Sequence, residues 1–106
     1  MQEIVKGINA LATEELIRAN KSFPLFRSDH EALGVLYEEV NETQIEMDGM
    51  NRAFTLFRIS VFSNREQWKK DEDIKQLRMA AVLCAAEAIQ TVAMCDKYVM
   101  SKGAEK

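Results

Sequence analysis

The single proline, Pro24, falls near the start of the chain, and everything after it is proline-free. Proline is the residue least tolerated inside a helix, so the sequence permits long unbroken helices from there on. The apolar pattern uses that freedom. Leu33, Leu36, Val40, Met47, Met50, Phe54, Phe57 and Val61 keep helical phase for about eight turns at 3.6 residues each. Ser28-Asp29-His30-Glu31 ahead of them is a capping box, in which the serine hydroxyl accepts from the third backbone N–H and the glutamate reaches back. A helix over 29–62 is predicted, with Gly49 the one position that loosens it.

A first helix is predicted over 3–20, where Ile4, Ile8, Leu11, Glu15 and Leu16 recur at helical spacing. Asn20-Lys21-Ser22 and Pro24 end it. Residues 21–28 form a linker whose Phe23, Leu25 and Phe26 are expected to dock on the helices. The charged stretch from Ser63 to Asp73 reads as a turn followed by a new helix start, with the third helix over 71–102. Gly103 is its natural stop, and Lys97 and Lys102 sit near the negative end of its dipole. The expectation is therefore one all-α domain over 1–106, a short N-terminal helix plus a long antiparallel helical hairpin.

Met79 to Cys95 is apolar nearly all round. One long partner and one short helix cannot cover every face of such a helix. That predicts a homo-oligomer, a homodimer or homotetramer in which hairpins pack into a four-helix-bundle core. The same segment contains Glu87 and Gln90 and reads as too short and too polar to span a membrane. A net charge of −3 and the lack of a basic patch argue against nucleic-acid and anionic-membrane partners. Cys84 and Cys95 would lie roughly 16 Å apart along one helix, too far for a disulfide. They read as reduced core thiols of a cytoplasmic protein. The N-terminus carries no basic region followed by an apolar stretch, so no signal peptide is expected.

The chemistry-bearing residues are acidic. Glu39 and Glu42 lie about 60° apart on a helical wheel, and Glu46 falls within about 20° of Glu39 two turns on. Glu38 points further round. On the third helix Glu87 is the only charged residue between Arg78 and Asp96, and Gln90 follows it by three. Carboxylates one turn apart can share a hard cation such as Mg²⁺. An unpaired carboxylate in an apolar helix is costly, so Glu87 needs a partner: a lysine or arginine of another helix or subunit, or a metal site shared with the first cluster. A solvated glutamate face is the plainer reading of Glu38, Glu39 and Glu42 alone. His30 is the only histidine and suits a surface or capping role. Trp68, Lys69 and Lys70 read as a solvated turn, and Met47, Met50, Met79 and Met94 as core filling.

At these residues the sequence resembles the MazG-like, all-α nucleoside triphosphate pyrophosphohydrolases, which carry EExxE on one helix and ExxD on the next. The first motif stands here as Glu38-Glu39-Val40-Asn41-Glu42. Ser28-Asp29-His30-Glu31-Ala32 and Glu87-Ala88-Ile89-Gln90-Thr91-Val92-Ala93-Met94 resemble a phage-associated branch of that family. The likeness covers roughly residues 22–100, and Gln90 stands where the family has its ExxD aspartate.

The resemblance implies Mg²⁺, or Mn²⁺, held by Glu39, Glu42 and Glu87. Glu38 would be a ligand or would orient or activate the attacking water, and Gln90 and Glu46 would be additional ligands. The implied substrate is an NTP or dNTP, attacked by water between the α and β phosphates to give the monophosphate and pyrophosphate. The alternative is a non-catalytic helical module that keeps the fold and oligomerises or binds a protein partner.

Overall fold

The computed structural model describes residues 1–104. The described chain is all-α: α1 (Gln2–Ser22), α2 (Asp29–Phe62) and α3 (Gln67–Ala104), with no strand among the described residues. α2 spans the expected residues and passes through Gly49 unbroken. Its start is the expected serine cap, Ser28 Oγ accepting from the Glu31 N–H at 3.1 Å. Glu31 does not complete the box, because its carboxylate turns to Arg27 at 3.5 Å. The end of α2 is set by Asn64, whose φ of 53° lies in the left-handed region. Asparagine is one of the few non-glycine residues that tolerate it. There the Ser63 N–H donates to Ile59 O at 2.8 Å and the Arg65 N–H to Ser60 O at 3.0 Å.

α3 begins at Gln67, four residues earlier than predicted. The charged stretch is its first turns, not a loop. Gln67 pairs with Asp71, Lys69 with Asp73 and Gln76 with Glu72, each four residues apart, which is the spacing at which charged and polar side chains support a helix. Trp68 Nε1 donates to the Glu66 carboxylate at 2.8 Å, and Glu66 O accepts the Lys69 N–H at 3.0 Å.

The chain divides into two compact units, Met1–Val40 with Ala88–Lys106, and Asn41–Glu87. The first unit holds an apolar core of Leu16, Phe26, Ala32, Ala93 and Met94, with Ala19, Val35, Leu36 and Tyr98 packed against it. The predicted α1 stripe is displaced. Ala12 and Leu16 are buried, whereas Ile4 and Leu11 are more than half exposed. Of the three linker anchors Phe26 is buried and Phe23 is exposed. Phe26 is fixed by Ser101, whose Oγ accepts from its N–H at 2.9 Å and donates to Lys97 O at 2.7 Å. Asp29 forms an ion pair with Lys102 and accepts from Tyr98 Oη at 3.2 Å. Lys97, near the C-terminal end of α3, is buried.

The second unit is an antiparallel helical hairpin, its two helices joined by the turn before Gln67. Its seam is built from small and polar residues. Ala53, Ser60 and Asp73 are its buried side chains, and Asp73, Leu77, Ala80, Cys84 and Glu87 face inward at alternating four- and three-residue steps. The apolar α2 face expected there is largely outside. Met47, Phe54 and Val61 are exposed, as are Ile45, Leu56, Ile59, Met79, Val82 and Leu83. Cys95, in the first unit, is also exposed, against the expectation of two core thiols, and both cysteines are free. By length and composition α3 can cross a membrane, with mean hydropathy 1.4 over one 18-residue window that is 11% buried. The core helix of a soluble protein passes the same test.

Near the turn, Ser60 Oγ donates to the Asp73 carboxylate, which also accepts from Lys69 Nζ at 3.0 Å. The Ser60 hydrogen bond, then that of Lys69, holds the Asp73 pKa below its ordinary value. Ser60→Ala leaves a buried carboxylate short of a donor. It is expected to cost about 1–3 kcal/mol at neutral pH, measured by urea denaturation. Asp73 has a lowered folded pKa, so its stabilisation is present above pH 3.8 and lost as pH falls through that folded value. The cost of Ser60→Ala should shrink over the same acid range.

Candidate functional site

Glu42 on α2 and Glu87 on α3 face each other across the hairpin of the second unit, at the end away from the turn. A carboxylate oxygen of each lies within 4.8 Å of the other. Glu46, one turn along α2, adds its field to Glu87. The Glu87 pKa is raised above its ordinary value, first by burial, then by a hydrogen bond with Glu42 and by the charges of Glu42 and Glu46. Facing carboxyl oxygens of this kind suit a hard ion such as Mg²⁺ or Mn²⁺. Within the second unit the residue facing Glu87 is an acid, Glu42.

Glu39 precedes Glu42 by one turn of the unbroken helix α2, and Gln90 follows Glu87 by one turn of α3. Both belong to the first unit. There Glu38, Glu39 and Gln90 line a cavity of about 480 Å³ whose other walls include Phe23, Phe26, Val35, Met94 and Lys97. Glu39 is half-buried while Glu38 is exposed at the cavity edge. Of the sequence-predicted residues, Glu42, Glu46 and Glu87 belong to the second unit, and Glu38 and Glu39 line a cavity with Gln90 in the first.

Lys97 is the functional candidate that sequence reasoning passed over. Its signal was present, because Glu87, Gln90, Met94, Lys97 and Ser101 follow one another at steps of three and four, the spacing of an inward helix stripe. All five are buried or half-buried.

A raised carboxyl pKa in the folded state costs stability once the group ionises. For Glu87 that cost is absent below pH 4.5 and is fully felt above the raised folded value. Glu87→Gln removes the ionisable group but keeps its size. The variant is expected to melt higher than the parent at pH 7 without added metal, with the difference vanishing toward pH 4.5. A melting series from pH 4 to 8 checks this, and equal offsets at every pH would contradict it. No family model, curated protein or solved structure matches the chain.

Proposed function

We propose that the chain is a Mg²⁺-dependent nucleoside triphosphate pyrophosphohydrolase that cleaves an NTP or dNTP to the monophosphate and pyrophosphate. The observation that carries the reading is the opposed pair Glu42 and Glu87, an exposed carboxylate facing a half-buried one across the hairpin. Perturbed carboxyl groups cluster at functional sites, and that of Glu87 is raised by burial and by the facing Glu42. The resemblance of Glu38-Glu39-Val40-Asn41-Glu42 to the MazG-like motif supplies the reaction class.

On this reading Glu39, Glu42 and Glu87 hold the metal, with Glu46 and the Gln90 carbonyl oxygen as additional ligands. Bound Mg²⁺ would neutralise phosphate charge and position the attacking oxygen. Glu38 orients the water and accepts its proton, a task open to a carboxylate at a cavity edge that solvent reaches. The free thiols Cys84 and Cys95 suit a reducing compartment such as the cytoplasm. A panel of NTPs and dNTPs assayed for pyrophosphate with Mg²⁺ or Mn²⁺ tests the activity. Glu39→Gln and Glu42→Gln should each lower kcat/KM by at least about 100-fold, since even residues that only support metal ligands cost 10- to 100-fold. No pyrophosphate from any substrate, and no melting shift with metal, would favour the non-catalytic helical module, the reading to which the neutral Gln90 points.

The exposed apolar surface supports self-association as a homodimer or homotetramer. A compact monomer of 12.1 kDa is expected to expose roughly 6,000 Å², and this chain exposes 7850 Å². If each of two copies covered that surplus, the interface would fall in the range of permanent homodimers, about 2,000–5,000 Å². Light scattering after gel filtration should give a dimer or tetramer, and Val82→Glu, on the exposed α3 face, should shift it to monomer. A parent chain that is monomeric at high micromolar concentration would refute this.

A further inference from the structure

Within the second unit, α2 carries its acids and its cations in separate halves. Glu42, Glu46 and Asp48 precede Met50, Arg52 and Arg58 follow it, and no other charged residue lies from Asn41 to Phe62. One stripe of this stretch faces solvent. Ile45, Asp48, Arg52, Leu56 and Ile59 fall within about 80° of one another at 100° per residue, and all five are exposed. Ile45 and Leu56 are each more than half exposed. Asp48 and Arg52 stand one turn apart, the spacing of an ordinary ion pair within a helix. They do not form one. Asp48 accepts from Gln44 Nε2 at 3.2 Å, and among the described residues Arg52 is in no ion pair.

The stripe is its own complement. Laid antiparallel on a copy of itself, about a two-fold axis at the level of Met50, it sets Asp48 of each copy opposite Arg52 of the other. Ile45 then comes opposite Thr55, where Asn51, Arg52, Thr55 and Leu56 line a recess of about 380 Å³. A parallel arrangement would set acidic half on acidic half and basic half on basic half, and like charges across a contact oppose association. The antiparallel contact is isologous and closes as a dimer. We propose that α2 is a self-recognition surface, pairing antiparallel with α2 of a second copy, with Asp48 of each copy bonded to Arg52 of the other and Ile45 seated beside Leu56. Exposed ion pairs of this kind fix orientation and register and add little strength. The exposed apolar residues elsewhere on the hairpin supply the remaining area. The inference rests on the self-association reading and adds to it which helix meets which, and in what direction.

The test is the self-association constant of the full chain, measured by sedimentation equilibrium at low ionic strength, where exposed charges are least screened. Asp48→Arg and Arg52→Asp each set like charges face to face and should weaken association at least about tenfold. An equimolar mixture of these two variants should recover the parent's affinity, because a chain with two cations then meets a chain with two acids. The double variant Asp48→Arg/Arg52→Asp exchanges the charges and should associate within about threefold of the parent. It should not form mixed dimers with the parent, since there acid meets acid and cation meets cation. Energy transfer between labelled chains reads that mixing, and it decides the matter should a single variant fail to fold. The proposal is overturned if the single variants keep the parent's constant, if their mixture is no tighter than either alone, or if the double variant and the parent mix freely. A parent chain that associates and is indifferent to these changes removes this inference and leaves the self-association reading standing. A monomeric parent removes both.

Discussion

The narrow seam of the second unit's hairpin is the constraint from which most of its other properties follow. Gly49, Ala53 and Ser60 on α2, and Asp73, Ala80 and Cys84 on α3, are small or polar and turn inward. Small facing residues let helices approach closely, and that excludes Phe54, Met47, Leu83 and Val82 from the line of contact. Those large side chains end up on the flanks and outer face. The unit therefore gains little from its own apolar content and gains more by packing against another surface, since burial of apolar area is the main favourable term in folding and association. The exposed apolar residues and the polar seam are two aspects of one arrangement.

A polar seam must satisfy its charges, and it does so differently at its two ends. Asp73 meets a hydroxyl and an ammonium, and its proton affinity falls. Glu87 meets Glu42 and Glu46, and its proton affinity rises. Partners, not burial alone, decide the direction. The Asp73 end behaves as a clamp beside the turn. The Glu87 end places an acid among acids, where its charged form is disfavoured.

Helix existence and most helix ends were legible in the sequence because they depend on local chemistry. Ser28 caps α2 as its side chain predicts, and Asn64 closes it through a backbone conformation that asparagine tolerates. The start of α3 lies four residues before the expected 71, because the charged residues after the turn, spaced by four, already form the surface of a helix. Which face turns inward was mostly illegible. The rule that apolar residues lie inside assumes enough partners to cover them, and two helices supply only one seam. Leu33, Val40 and Phe54 met the helical period and are exposed all the same. The acids Glu39, Glu42 and Glu87 could be named from motif and setting. Lys97 could not, because a lysine near the end of a helix has a ready explanation in the helix dipole, and only the stripe running from Glu87 to Ser101 argues otherwise.

Gln90 takes on a different meaning once its surroundings are known. It lines the same cavity as Glu31, Glu38, Glu39, Arg27 and Lys97, three carboxylates against two cations. An aspartate at this position would add a fourth negative charge to that wall. The amide keeps a carbonyl oxygen able to accept or ligate and an NH₂ able to donate to a phosphate oxygen, and it removes one repulsion from a low-dielectric site where each counts for more than in water. Gln90 therefore leaves the cavity with less negative charge than an aspartate would, while keeping an oxygen donor among its walls.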